Sequence, residues 1–119
     1  MMRRLVAPLV CLGIVVAGAA IAETYDVRDA IKRLKSRNVE DRILGAKLLR
    51  VKEEPEAVEA LAQALQDKDA RVRREAASSL WGTGEKAKAA EPALRKALND
   101  PNRDVRHAAA VALAGLENR

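Results

Sequence analysis

Aromatic residues and cysteine are almost absent from this sequence of 119 residues. It contains no phenylalanine, one tyrosine, one tryptophan and one cysteine, Cys11. A hydrophobic core must therefore be built from Leu, Val, Ile and Ala, and the smaller of these side chains permit close contact between helices. Alanine is also the strongest helix former. The composition predicts an all-α chain.

The one long apolar run lies at the N-terminus and has the features of a secretory signal peptide. Met1–Arg4 is basic, Leu5–Val16 is apolar, and Ala20-Ile21-Ala22 has the small residues that signal peptidase reads. We predict cleavage after Ala22 and a periplasmic or secreted protein. The alternative is a retained membrane anchor, because the run from Leu5 reaches 18 residues. One proline and two glycines interrupt that run.

Cleavage would leave residues 23–119, a chain of 97 residues without cysteine. Packing alone would then hold the fold together, because no disulfide could form. The net charge would fall from +5 to +3 with the loss of Arg3 and Arg4. Such a balance of charges describes a soluble surface and does not indicate nucleic-acid or anionic-lipid binding. We therefore expect no nucleic-acid partner, and no membrane contact after cleavage.

A repeat fills most of the predicted mature chain. Leu65-Gln66-Asp67 recurs as Leu98-Asn99-Asp100, at a spacing of 33 residues. A spacing of 31 residues relates an earlier copy to the same segment, matching Arg42 to Arg73. Self-similarity at such periods is typical of stacked repeats. We predict three copies, at about residues 25–51, 55–83 and 87–117.

Each copy has the pattern of two helices, A and B, joined by a short turn. In the second copy Pro55 can begin helix A, where its missing N–H is not needed. Asp69 can cap helix B, which is predicted to end at Trp81, before Gly82-Thr83-Gly84. In the third copy Pro92 lies early in helix A and should bend or trim it. The other predicted helices are Val27–Leu34, Val39–Arg50 and Arg103–Leu116.

The string Asp-x-x-x-x-Val-Arg-x-x-Ala-Ala-x-x-Leu occurs at Asp67–Leu80 and at Asp100–Leu113. It resembles the HEAT-repeat family, in the short, alanine-rich subtype also found in HEAT-like phycobilin lyases. The resemblance covers about residues 25–117 and implies an α-solenoid of three helical hairpins, used chiefly as a binding surface. The first copy departs from the string at three positions and is therefore a degenerate or capping copy. These departures are Ser36 for aspartate, Asp41 for valine and Gly45 for the first alanine.

In the HEAT-repeat family the repeated arginine and aspartate form a ladder between repeats. The resemblance assigns to this ladder Arg42, Asp67, Arg73, Asp100 and Arg106. A helical projection is compatible with this role, because Arg73 falls on the flank of the apolar stripe of helix B. A planar guanidinium suits carboxylates and loop carbonyls. The alternative is phosphate binding by a row of arginines.

A second stripe of helix B points away from the predicted core. In stacked repeats the B helices line the concave wall, which is the usual docking surface. Trp81 between Arg50 and Arg74 has the composition of an interface hot spot, and His107 occupies the matching stripe of the third copy. We predict these four residues as partner-binding residues. The alternative is that Trp81 covers the helix end beneath the Gly82–Gly84 loop while Arg50 stacks on it.

The sequence shows no catalytic or metal-binding constellation. His107 is the only histidine, and a zinc site would need further ligands that the spacing does not supply. No base is placed in sequence to activate the serines at positions 36, 78 and 79. Glu53, Glu54 and Glu56 cluster around a predicted loop, which favours a solvated acidic turn. We expect no catalysis, no metal and no cofactor.

The last predicted helix, with the segment HAAAVALAGL, has few polar residues on any side. Terminal repeats normally turn a polar face to solvent. We therefore predict that a second copy or another partner covers this helix, for example in a homodimer through the C-terminal helix. The alternative is that alanine surfaces tolerate water.

Taken together, these features predict an exported scaffold that binds a protein partner on a rigid concave wall. The alternative is a HEAT-like lyase or a chaperone-type accessory subunit that acts on a protein or a tetrapyrrole. The export signal and the small number of repeats argue against a lyase.

Overall fold

The structure, a computed structural model, describes residues 26–50 and 52–118. In these residues it contains six α-helices, one 3-10 helix and no strand, which confirms the predicted all-α class. The predicted signal peptide and its cleavage site lie outside the described residues. In chain order the helices are α1 Val27–Leu34, α2 Val39–Leu48, α3 Pro55–Ala64, α4 Ala70–Thr83, the 3-10 helix Gly84–Ala90, α5 Glu91–Ala97 and α6 Arg103–Glu117.

The helices stack as three pairs in two layers. Within the pairs, α1 contacts α2, α3 contacts α4, and α5 contacts α6. Between the pairs, α2, α4 and α6 pack side by side in one layer, while α1, α3 and the 3-10 helix with α5 form the other. This arrangement confirms the predicted α-solenoid. Across the described ranges, no helix is both long and apolar enough to cross a bilayer.

The core between the two layers consists of aliphatic side chains. Leu49, Leu61, Leu80 and Leu94 are at most 1% exposed. Alanines fill the places where helices approach most closely, and they are completely buried at positions 46, 57, 76, 77 and 109. Burying aliphatic surface stabilises the fold by roughly 25 cal/mol per Å². The single tryptophan takes no part in this core, because Trp81 is 48% exposed.

Side-chain caps lie at the start of α2, α4 and α6, the three helices of one layer. The Asp69 carboxylate accepts a hydrogen bond from the Arg71 N–H at 2.8 Å, as the sequence predicted. Asn38 and Asn102 do the same for the N–H groups two residues further on, also at 2.8 Å. Each cap satisfies a backbone donor that has no partner within its helix. The turn inside each pair therefore ends at a fixed residue.

The third pair shows the predicted effect of Pro92. Its first arm is divided into the 3-10 helix and the short helix α5, and Pro92 lies in the first turn of α5. Proline has no N–H to donate to a carbonyl four residues back, so α-helical bonding starts afresh at this point. Before it, α4 continues two residues past its predicted end. Gly84, with φ at 79°, provides the left-handed turn that ends α4.

Gly45 stands where the other repeats have alanine because α1 crosses α2 at very short range. A Cβ atom at Gly45 would lie 2.7 Å from the Ala30 carbonyl oxygen and 2.9 Å from the Leu34 nitrogen. Both of these are backbone atoms, which cannot move aside without shifting α1. The departure of the first copy from the repeat pattern at this position is therefore a packing requirement.

We expect Gly45→Ala to destabilise the protein although alanine is the better helix former. Displacing α1 should cost about 1–3 kcal/mol, whereas alanine in an open helix position would gain roughly 1 kcal/mol. Urea unfolding followed by circular dichroism measures the difference. Lys47→Ala, at an exposed position of the same helix, is the control and should change the free energy of unfolding by less than about 0.5 kcal/mol. A Gly45→Ala protein as stable as the parent would contradict the close crossing.

Candidate functional site

Two arginine–aspartate pairs join neighbouring repeats at their turns. Arg42 donates from Nε and Nη2 to the Asp67 carboxylate at 3.0 and 3.4 Å. Arg73 donates in the same way to Asp100 at 2.8 and 3.1 Å. All four side chains are at most 14% exposed. Because both oxygens of each carboxylate take part, these are bidentate, charge-assisted contacts, the stronger class of hydrogen bond.

The third guanidinium nitrogen of each arginine holds the turn of its own repeat. Arg42 Nη1 donates to the Ser36 carbonyl at 3.0 Å, and Arg73 Nη1 donates to the Asp67 carbonyl at 2.8 Å. The aspartate also orders its own turn, since the Asp67 carboxylate accepts from the Asp69 N–H at 2.9 Å. One arginine thus connects two successive turns, which makes the ladder part of the scaffold.

Among the described residues, Arg106 makes the contact to its own turn but not the contact to a following repeat. Its Nη1 donates to the carbonyls of Asp100 and Pro101 at 2.8 and 3.2 Å, which repeats the contact to its own turn. Within residues 26–50 and 52–118 no carboxylate pairs with it. Arg106 is therefore the one arginine of the predicted ladder that does not connect two repeats in the described part of the chain.

The ladder changes the acidity of Asp100. Burial alone would raise the pKa of this carboxyl group, but hydrogen bonds from Arg73 and from the Asn102 N–H oppose that effect. Together with the positive charges of Arg73 and Arg106, they hold the pKa of Asp100 below its usual 3.8. The folded state therefore favours the charged form of this group.

The four residues predicted to bind a partner lie on the exposed side of the layer formed by α2, α4 and α6, with Arg50 just beyond the end of α2. Trp81 is 48% exposed, and Arg50, Arg74 and His107 are also exposed. The indole ring of Trp81 rests on α6, because a Cβ atom at Gly115 would lie 3.0 Å from its Cδ1 atom. This contact, which the sequence did not predict, gives the ring a fixed support while half of its surface faces solvent.

The structure places the Arg50 side chain beside the residue that follows Trp81 and sets the other two residues apart. The Arg50 side chain lies over Gly82, the residue next to Trp81, where a Cβ atom would come within 2.6 Å of its Cγ. Arg74 precedes Trp81 by seven residues of α4, a distance of about 10 Å along a helix. His107 likewise lies about two turns from the contact at Gly115. The four residues form an elongated face and not a compact pocket.

We call this surface the interaction face and define it by Lys47, Arg50, Arg74, Trp81, His107 and Val111. Val111 is 42% exposed, and the other five residues are exposed as well. In the described ranges its basic side chains form no ion pair, whereas five arginines elsewhere do. The interaction face therefore combines positive charge without a partner and exposed apolar surface.

Two hydroxyl groups of α4 have structural roles that sequence reasoning missed. Ser79 is fully buried and donates to the Ala46 carbonyl at 2.7 Å. The Thr83 hydroxyl lies 3.2 Å from the Arg50 carbonyl and 3.0 Å from the Ser79 carbonyl. Both residues bind α4 to the end of α2, beneath the interaction face. The only signal in the sequence was that Ser79 is polar, whereas the equivalent residue of the third copy is Ala112.

The other residues considered as possible catalytic or metal-binding residues are dispersed over the structure. The Ser36 hydroxyl donates to the Asp41 carboxylate at 3.2 Å, and the three glutamates near the start of α3 are exposed. The described part of the chain has no group of three or more side chains that could hold a metal ion. Ala110 and Ala114 are exposed on α6, the helix predicted to be covered. A homodimer through that helix stays a prediction.

Paired helices in two layers, with arginine–aspartate contacts between successive turns, define a solenoid of helical repeats. A family model described as HEAT repeats matches residues 27–114. The chain belongs to the HEAT-repeat family, and the predicted resemblance is confirmed.

Two examples represent the solved structures that are similar to this chain. One is a chain of the complex of CpcE and CpcF of phycocyanin lyase from Nostoc sp. PCC7120, with a TM-score of 0.71 and 34% identity over 79% of this chain and 38% of that chain. The other is human deoxyhypusine hydroxylase in complex with glycerol, with a TM-score of 0.68 and 27% identity over 78% of this chain and 32% of that chain. This chain thus spans well under half the length of either. No curated protein matches it.

Replacing Asp100 with asparagine should weaken the ladder and flatten the pH dependence of stability. Because the pKa of Asp100 is lowered in the folded state, its stabilising contribution is complete above its unfolded pKa and is lost as the pH falls through the lower, folded value. We expect a loss of about 1–3 kcal/mol in Asp100→Asn at neutral pH. In acid, the difference from the parent protein should shrink.

Urea unfolding at several pH values between about 2 and 7 provides the measurement. The matched control is Asp104→Asn, since Asp104 is exposed in the first turn of α6, the helix that follows Asp100. It should cost less than about 0.5 kcal/mol. If both variants behaved alike at every pH, the carboxylate of Asp100 would not have the structural role assigned to it.

Proposed function

We propose that this protein is a scaffold that binds another protein through the interaction face and has no catalytic activity of its own. The observation that carries the proposal is the position of Trp81, which is half exposed and yet supported by Gly115 of the neighbouring helix. A large side chain that is already fixed loses little conformational entropy on binding. Tryptophan and arginine are also the residues most enriched in binding hot spots.

The rigidity of the surroundings supports the same function. The hydroxyl groups of Ser79 and Thr83 bond to carbonyl groups at the end of α2, and the Arg73 contact holds the turn of the third repeat. The interaction face is therefore displayed on helices that cannot easily shift relative to each other. A preorganised surface of this kind favours binding.

The charge of the interaction face indicates the chemistry of the partner. Lys47, Arg50 and Arg74 form no ion pairs with other described residues. Carboxylates of a partner could therefore pair with them without breaking existing contacts, and an apolar side chain could cover Trp81. We infer a protein partner with an acidic segment that carries at least one large apolar residue. Electrostatic complementarity of this kind mainly raises the rate of association and the specificity.

A lyase or chaperone-type accessory subunit is the second candidate. Its support is the 34% identity to a chain of the phycocyanin lyase complex, of which this chain spans 38%. Incubation with a tetrapyrrole distinguishes the two functions. A shifted absorption band that depends on Trp81 would favour the accessory subunit, and an unchanged spectrum with intact protein binding would favour the scaffold.

Export to the periplasm or to the outside of the cell is part of the proposal and rests on the sequence of residues 1–22. Expression of the full chain followed by cell fractionation is the test. We expect an extracytoplasmic protein whose intact mass corresponds to a first residue at Glu23. A full-length mass in a membrane fraction would instead show a retained anchor.

Alanine at Trp81 or Arg74 should weaken partner binding without unfolding the protein. We expect at least about tenfold weaker binding for Trp81→Ala, as hot-spot residues typically cost 2 kcal/mol or more. The expected effect of Arg74→Ala is smaller, because this side chain lies two turns from the indole ring. Partner capture from a periplasmic or extracellular extract, followed by affinity measurement with the captured protein, provides the readout.

Lys96→Ala is the control for these variants, because Lys96 is also exposed but belongs to α5 in the opposite layer. It should bind like the parent protein. Circular dichroism establishes that each variant is folded. The proposal fails if Trp81→Ala and Arg74→Ala keep full affinity, or if they lose their helical signal.

A further inference from the structure

We propose a second docking surface, on the side of α5 and α6 that faces away from α4. It receives the aspartate-bearing turn of a helical repeat from another polypeptide. The inference follows from three positions of the third repeat, Leu98, Arg106 and Ala110. In the second repeat, the equivalent positions form the contact with the third repeat.

Arg106 is already arranged for a carboxylate. Its Nη1 is held by the carbonyls of Asp100 and Pro101 at 2.8 and 3.2 Å. Arg42 and Arg73 are held by their own turns in the same way, and each then presents Nε and Nη2 to an aspartate. No described residue occupies those two donors of Arg106. The guanidinium is thus fixed in place with its bidentate side open.

The apolar part of the contact is also open. Leu65 is 5% exposed and Ala77 is completely buried, because the third repeat packs on them. The equivalent residues of the third repeat are Leu98, which is 38% exposed, and Ala110, which is exposed. Leucine, arginine and alanine therefore recur with the spacing of the inner contact, but within the described residues nothing covers them.

A second copy of this chain in the same stacking order cannot supply the carboxylate. The position equivalent to Asp67 and Asp100 in the first repeat is Ser36. The nearby Asp41 already pairs with Arg33 and accepts a hydrogen bond from Ser36. The partner is therefore a different helical-repeat polypeptide with a Leu-x-Asp turn, like Leu65-Gln66-Asp67. The charge of Arg106 selects the aspartate, and Leu98 and Ala110 select the apolar helix ends beside it.

A synthetic peptide of residues 84–118 is a suitable probe, because its Asp100 turn is the one that Arg73 binds inside the protein. We expect saturable binding of this peptide to the full chain in isothermal titration calorimetry. Arg106→Ala in the protein, or Asp100→Ala in the peptide, should weaken binding by at least about tenfold. Arg103→Ala, an exposed arginine near the start of α6, is the control and should bind like the parent. Equal affinity of the Arg106→Ala protein would overturn the proposal.

A second measurement lowers the entropic cost of bringing a free peptide to the protein. The same segment is appended to the C-terminus of the full chain, where tethering raises its effective concentration. The added residues should become helical, and Arg106→Ala in the original repeat should leave them unfolded in circular dichroism. If neither the free nor the appended segment associates in a manner that depends on Arg106, the surface does not dock a repeat.

Two further outcomes separate this inference from its alternatives. Sedimentation of the unmodified chain should show no self-association that depends on Arg106. If the chain did associate with itself and Arg106→Ala abolished this, a second copy would be the occupant and the proposal would be contradicted. Trp81→Ala should bind the peptide like the parent, because Trp81 belongs to the interaction face. Loss of peptide binding in that variant would mean that the two surfaces are one.

Discussion

The fold depends on buried arginine–aspartate contacts that connect one turn of the solenoid to the next. In each contact, one guanidinium spans the turn of its own repeat and the carboxylate of the following one. The aliphatic core is built of leucine, valine and alanine and is similar in every repeat, so it does not by itself determine which surfaces meet. A bidentate contact is directional, and it therefore sets the register in which the repeats stack.

Small residues make this stacking possible. Ala46 and Ala77 are completely buried between neighbouring helices, and Gly45 leaves space for the backbone of α1. The close approach also explains the surface. Once the leucines and alanines are used for packing, the only large aromatic ring of the described residues remains outside, on Gly115. The packing contacts and the interaction face thus lie on opposite sides of the same helices.

Most of the fold follows from local patterns. Pro55 at the start of α3 and Asp69 as the cap of α4 depend on residues close together in the chain, so the sequence alone predicted them. The repeat spacing can be read directly from recurring residues. The interaction face was predicted only as a set of exposed positions. The contact of Arg50 with Gly82, the contact of Trp81 with Gly115 and the distance of the other two residues depend on how α2, α4 and α6 lie against each other. A helical projection of one helix contains no such information.

The sequence by itself determined the helical class, the period and the identity of the arginines and aspartates, because periodicity and composition act within each repeat. Tertiary structure alone decided which aspartate each arginine meets, why Gly45 excludes a methyl group, and that Ser79 bonds to the Ala46 carbonyl. These are contacts between residues far apart in the chain. Their distances are set by the packing of one repeat on another, and no pattern within a single repeat specifies them.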